Sequence, residues 1–124
     1  MNAGLDFFQD NSPLERWRVV SDMETKGRSA VDRLTRELQS DDKRVRIAAA
    51  DALGNIGDQQ AFDPLAQLLF DKDQDVRFAT TVALGKLGGS RSIKALEDAC
   101  KDKNCFVRMA AEEALIRLKE SPIS

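Results

Sequence analysis

Histidine is missing from this sequence altogether, and cysteine occurs only twice in 124 residues. A tetrahedral metal site built on Cys100 and Cys105 would have no imidazole and no second cysteine pair to complete it, and two cysteines make no disulfide framework. An excess of one charge is lacking too. Nineteen basic side chains against 21 acidic ones leave a net charge of −2, which gives no bulk attraction for polyanions and argues against nucleic-acid binding. No apolar run approaches the ~18 residues of a membrane span. The opening MNAGLDFFQD has no cationic segment followed by an apolar stretch, so no secretory signal is read there. The expectation is a cytoplasmic protein with no membrane association.

What is present is ordinary in amount and unusual in order. The composition, 42% hydrophobic and 32% charged, suits one soluble domain with a core. The order is repetitive. RVRIAAADALGNIG begins at Arg44, DVRFATTVALGKLG at Asp75 and FVRMAAEEALIRLK at Phe106, so a Val-Arg pair recurs every 31 residues, at Val45-Arg46, Val76-Arg77 and Val107-Arg108. Upstream of each pair, Val31, Leu34 and Leu38 align with Phe62, Leu65 and Leu69, and then with Ile93, Leu96 and Cys100. A fixed period of this size marks stacked supersecondary units, each too small to bury its own apolar face alone.

Each unit parses into two helices. The first carries its apolar residues at i, i+3 and i+7, one buried stripe. The second carries Val45, Ala49, Ala52, Leu53 and Ile56, and their counterparts 31 and 62 residues on, at i, i+4, i+7, i+8 and i+11. Between them lie the polar turns QSDDK, FDKDQ and KDKNC, whose fourth residues, Asp42, Asp73 and Asn104, are good N-cap types. Gly54 and Gly85 remove side chains near the helix ends, and Gly57, Gly88 and Gly89 read as C-terminal stops. Pro64 falls in an opening turn, where its missing N–H does little harm. Within Asp75–Gly89, Asp75, Arg77, Thr81 and Lys86 suit a solvated surface, and Val76, Ala83, Leu84 and Leu87 suit a core. In this scheme Cys100 is a small buried hydrophobe and Cys105 is exposed.

The wording VRIAAADALGNIGD followed by QQAFDPLAQLL resembles the HEAT-like repeats first described in phycobilisome lyase subunits, an α-solenoid family of helix pairs. The likeness covers residues 29 to 119, and the third unit departs from it by losing both glycines. The resemblance implies an all-α fold, a short right-handed α-solenoid. It also implies a surface that holds other molecules. The expected organisation is an N-terminal segment and capping helix over 1–28, repeats at 29–58, 59–89 and 90–119, and a frayed tail at 120–124. In the first part Ser12, Pro13 and Glu15 make a capping-box arrangement, and Leu14, Trp17 and Val20 a stripe for covering the first repeat. At the other end Glu112, Ile116 and Lys119 stand where Ala50, Gly54 and Gly57 stand in the first unit, which predicts that the array stops there.

Arg46, Arg77 and Arg108 each sit beside the core stripe, and a ladder of arginines bonding loop carboxylates and carbonyls between neighbouring units is expected. Phe78 raises a different question. With successive side chains about 100° apart, it projects away from the core of its helix, as do Ile47 and Met109 at the same position of the other units. Val82 and Phe106, which align with Asp51 and Arg44, flank this row. A contiguous exposed apolar face marks an interaction site. Its expected rim is Arg44, Asp51, Asn55, Asp75, Lys86, Glu113 and Arg117.

The reading is therefore a non-catalytic scaffold or adaptor that binds a protein or peptide through Ile47, Phe78, Val82, Phe106 and Met109. Three alternatives stay open: coverage of the row by the chain's own Leu5, Phe7 and Phe8, a homodimer, and a non-catalytic partner within a bilin-lyase-type assembly. An enzyme is disfavoured and no cofactor or metal is expected. Repeat proteins that act as hydroxylases need His-Glu metal ligands, and the acidic residues here fall at caps, turns and rims with no buried pair for acid/base work. The basic run Lys26, Arg28, Arg33, Arg36, Lys43, Arg44 and Arg46 is interleaved with Asp32, Glu37, Asp41 and Asp42, which reads as a solvated helix face.

Overall fold

A computed structural model describes residues 30–120. The chain divides into two compact units, Met1–Asp32 and Arg33–Ser124, and only residues 30–32 of the first are described. The expected capping helix, the Leu5–Phe8 segment and the tail after residue 120 lie outside the described residues.

Among the described residues every regular element is helical. Residues 30–37 form α1, and α2 follows at Lys43–Ile56. A single 3₁₀ turn, Gln59–Ala61, leads into α3 at Phe62–Gln67, and a second, Leu68–Phe70, closes it. Then come α4 at Gln74–Leu87, α5 at Ser90–Ala99 and α6 at Cys105–Glu120. The long helices α2, α4 and α6 stand side by side, with α3 and α5 behind them. This is the all-α solenoid of helix pairs that the period implied.

The caps account for where the long helices start. Asp42 accepts the N–H of Arg44 and Asp73 that of Asp75, while the Asn104 side chain accepts those of Phe106 and Val107. Each satisfies donors that a helix start leaves without an internal partner. At the other end of α2, Gly57 takes φ 77°, a left-handed conformation that spares any side chain, and returns its N–H to the Leu53 carbonyl.

The core runs along the stripes that periodicity selects. Leu38, Ala49, Leu53, Leu65, Val76, Ala83, Leu84, Leu96, Val107, Ala111 and Ala114 are all buried. Leu34, Val45, Phe62, Leu69 and Ile93, on the expected stripes, are half-buried, and further residues depart from expectation. Arg77 and Thr81 are buried, not solvated, because their side of α4 is turned toward α6. The Thr81 hydroxyl is satisfied there by donating to the Arg77 carbonyl at 2.8 Å. Ile56, the last residue of α2, is exposed. Cys100 is only half-buried, at the C-cap of α5, while Cys105 is exposed as expected. Another difference concerns a whole element: the first helix of the second unit is a six-residue α-helix between two 3₁₀ turns. No glycine follows Phe70 to make a left-handed stop, and the last turn tightens instead.

The glycines inside the long helices decide their spacing. A Cβ on Gly54 would lie 2.8 Å from Ala83 Cα, and one on Gly85 would lie 2.9 Å from Ala114 Cβ. Neither distance is tolerable, so α2 approaches α4, and α4 approaches α6, only because these side chains are absent. The third unit has Ile116 at this position.

Candidate functional site

The helix joints are held at one end by the expected arginine ladder, with partners more specific than the sequence indicated. Arg46 donates to the Ser40 carbonyl at 2.7 Å and pairs with Asp71, Nε to Oδ2, at 3.0 Å. Arg77 repeats this one unit on, donating to the Asp71 carbonyl at 2.9 Å and pairing with Asp102 at 3.0 Å. Arg108 donates to the Asp102 carbonyl at 2.7 Å. The carboxylates therefore come from repeat position 71/102 of the following unit, not from the N-caps four residues before each arginine. Asp71 and Asp102 also accept the N–H two residues ahead, of Asp73 and Asn104, so one side chain shapes the turn and ties it to its neighbour. Burial pushes the Asp102 carboxyl up, but the Asn104 N–H together with the hydrogen bonds and charge of Arg77 outweighs burial and holds it below the ordinary aspartate value.

With the joints fixed, the outward row is placed. Phe78, Phe106 and Met109 are 41%, 64% and 61% exposed, and Ile47 and Val82 are half-buried. A groove of about 460 Å³ between α2 and α4 is lined by Ile47, Ala48, Asp51, Asp75, Phe78, Ala79 and Val82. A second of about 270 Å³ between α4 and α6 is lined by Phe78, Val82, Phe106, Met109, Ala110, Glu113 and Arg117. Phe78 and Val82 belong to both and form the ridge between them. The five apolar residues read from the sequence thus lie on one face, split into two channels.

The floor of those channels was not foreseen. Ala48, Ala79 and Ala110 occupy one repeat position, each next to the outward row, and the absence of anything larger there creates the depth. The signal was present as an alanine recurring every 31 residues. On the rim, Lys86 bridges α4 to α2 by donating to Asp51 at 3.3 Å and to Asn55 at 3.0 Å. Lys43 pairs with Asp73 at 3.3 Å and Asp75 at 3.4 Å. Glu113 and Arg117 line the second groove. Arg44 lines neither, since it folds back onto Asp42 at 3.2 Å at the start of its own helix.

The face offers apolar contact and hydrogen-bonding edges, and no cysteine, serine or lysine lines either groove. Cys100 lines neither groove, and burial, with Glu112 and Glu97 nearby, pushes its thiol up, so it stays protonated at neutral pH.

A family model for HEAT repeats matches residues 5–69 and 31–116. The chain belongs to the HEAT-repeat family. Overlapping matches are what a repeated unit produces, and the first begins at residue 5, within the segment read from sequence as a cap. No curated protein matches the chain. HEAT repeats generally mediate contacts between proteins, so the family and the exposed face agree at that coarse level.

Proposed function

We propose that this protein is a non-catalytic scaffold or adaptor that binds a partner protein on the face of α2, α4 and α6, with Phe78 as the central anchor and Ile47, Val82, Phe106 and Met109 around it. The observation that carries the reading is the ridge at Phe78, an exposed aromatic side chain standing between two apolar grooves on a face ringed by polar residues. Burying each large side chain contributes about 1.5–3 kcal/mol before the costs of association, and such anchors concentrate binding energy near the centre of an interface. The 31-residue unit and the Val-Arg and Ala-Leu-Gly wording support a closer kinship with phycobilisome-lyase-type repeats, in which case the protein serves as a non-catalytic partner in an enzyme assembly.

Four of the basic side chains near the first repeat are paired. Arg33, Lys43, Arg44 and Arg46 each sit within ion-pair distance of a carboxylate, which argues against a nucleic-acid surface. No helix among the described residues is long and apolar enough to cross a membrane.

Phe78→Asp and Met109→Asp test the proposal. Each is expected to leave the helical circular dichroism unchanged and the free energy of urea unfolding within about 0.5 kcal/mol of the parent, as substitutions away from a core do. Each should also abolish recovery of a partner from extracts of the source cells, read by mass spectrometry against the parent protein. Unfolding would show that the face is core, and undiminished recovery would show that the partner binds elsewhere. Sedimentation of the parent and Phe78→Asp side by side separates a foreign partner from a second copy of the chain.

A further inference from the structure

The inner stripe of each long helix runs through positions i, i+4, i+8 and i+11: Arg46, Ala50 and Gly54 on α2 with its C-cap Gly57, Arg77, Thr81 and Gly85 on α4 with its C-cap Gly88, and Arg108, Glu112, Ile116 and Lys119 on α6. On α2 and α4 it forms the joint with the next helix. Its arginine takes the next unit's aspartate, Asp71 or Asp102, and its glycine lets the next helix in. On α6 the arginine is retained and the small residues are not. Arg108 is half-buried and donates to the Asp102 carbonyl as its counterparts donate to theirs, but it alone of the three has no carboxylate partner among the described residues. Farther along the same stripe Ile116 is 56% exposed. With Glu112, Leu115, Lys119 and Glu120 it lines a shallow, open groove of about 500 Å³ along the face of α6 itself.

We propose that this edge of α6 is a second docking surface, independent of the Phe78 face, whose occupant is a helical segment of another protein that sets an aspartate or glutamate against Arg108 and an apolar side chain beside Ile116. The chemistry of the occupant follows from continuity with the two joints already formed. At both of them a buried arginine, with one N–H on a loop carbonyl, sets the rest of its fork against a carboxylate from the neighbouring unit; Arg77 bonds Asp102 through two N–H groups and Arg46 bonds Asp71 through one. Arg108 is pre-positioned in the same way. The geometry also excludes a repeat stacked as α4 stacks on α2. A methyl group at Gly54 or Gly85 already collides with the next helix, so Ile116 holds a neighbour off at that end. The partner helix must therefore be close at Arg108 and splayed at Ile116, where the groove receives its apolar side chain. Glu112, exposed between them, adds selectivity by favouring a basic residue one turn along that helix and repelling an acidic one.

The test is site-specific photocrosslinking in the full chain. A benzoylphenylalanine at Glu120, on the lip of the groove, is irradiated in extracts of the source cells and the captured peptide is sequenced. The expected product is a helical segment of a different protein with an acidic residue at or near its start. Its yield should fall about tenfold or more in Arg108→Gln and stay unchanged in Phe78→Asp, an arm that separates this surface from the first. Should Arg108→Gln unfold, Ile116→Asp, which keeps the arginine, is expected to give the same loss. The proposal is overturned by an absence of crosslinks, by a yield indifferent to both variants, or by capture of nucleic acid or of a second copy of this chain.

Discussion

Asp102 shows how much one side chain does here. Its carboxylate takes the Arg77 guanidinium, its oxygen shapes the turn into α6 through Asn104, and its carbonyl takes Arg108. The Arg77 and Asp102 side chains are 6% and 12% exposed, so removing one partner strands the other away from water. Asp102→Asn is expected to cost about 3 kcal/mol in urea unfolding, the lower end for breaking a buried pair. Asp63→Asn, at an exposed contact 3.9 Å from Arg91, should change stability by less than about 0.5 kcal/mol. Equal losses at the two positions would mean that the ladder contributes no more than a surface pair. The sequence showed the arginines and their register. It indicated loop carboxylates and carbonyls of neighbouring units without saying which, because Asp71 and Asp102 are near the arginines in space and 25 residues away along the chain.

Between helices, small residues and caps do most of the work. Gly54→Ala improves helix propensity by about 1 kcal/mol, yet its Cβ would meet Ala83 Cα at 2.8 Å and the Ala83 carbonyl at 3.0 Å, backbone atoms that move only if α4 moves. The net effect expected is a loss of about 2 kcal/mol. Gly85→Ala should lose less, because its one hard contact is the Ala114 methyl. Thermal unfolding of the two variants decides the order, and a stabilised Gly54→Ala would refute the packing argument. Acid acts on the same joints. The Asp42 carboxyl is held down first by the Arg44 side chain, that of Asp73 first by the Asp75 N–H, and that of Asp102 by Asn104 and Arg77 against burial. All three therefore bind protons more readily unfolded than folded. Their contribution is complete above the ordinary aspartate value and is lost as pH falls through the lower folded values. A urea titration from neutral pH downward should show stability falling only in that acid range. Asp102→Asn should flatten the fall.

At the level of the molecule, each helix pair contacts mainly its neighbours, so stability is a sum of units and joints and the two open surfaces are set by how the stack is turned. The outward row was legible because Ile47, Phe78 and Met109 recur at one position of a repeat whose core positions are already taken. Thr81 and Ile56 were misread for one shared reason. A helical wheel separates core from surface for a lone amphipathic helix, but in a stack the flank of a helix is covered only where a neighbouring helix reaches it. Thr81 lies under α6, and Ile56, at the end of α2, is left exposed. The broken first helix of the second unit was equally invisible, since it keeps the apolar spacing of a continuous helix and differs only in how its ends tighten.

The period, the helix pairs, the N-caps and the outward row followed from residue order, because each depends on local periodicity and on side chains bonding their own backbone a few residues away. Which carboxylate meets which arginine, how closely the long helices approach, the split of the apolar face into two grooves and the open stripe on α6 came from packing. These depend on distances between residues some 25 to 29 positions apart, which no local pattern encodes.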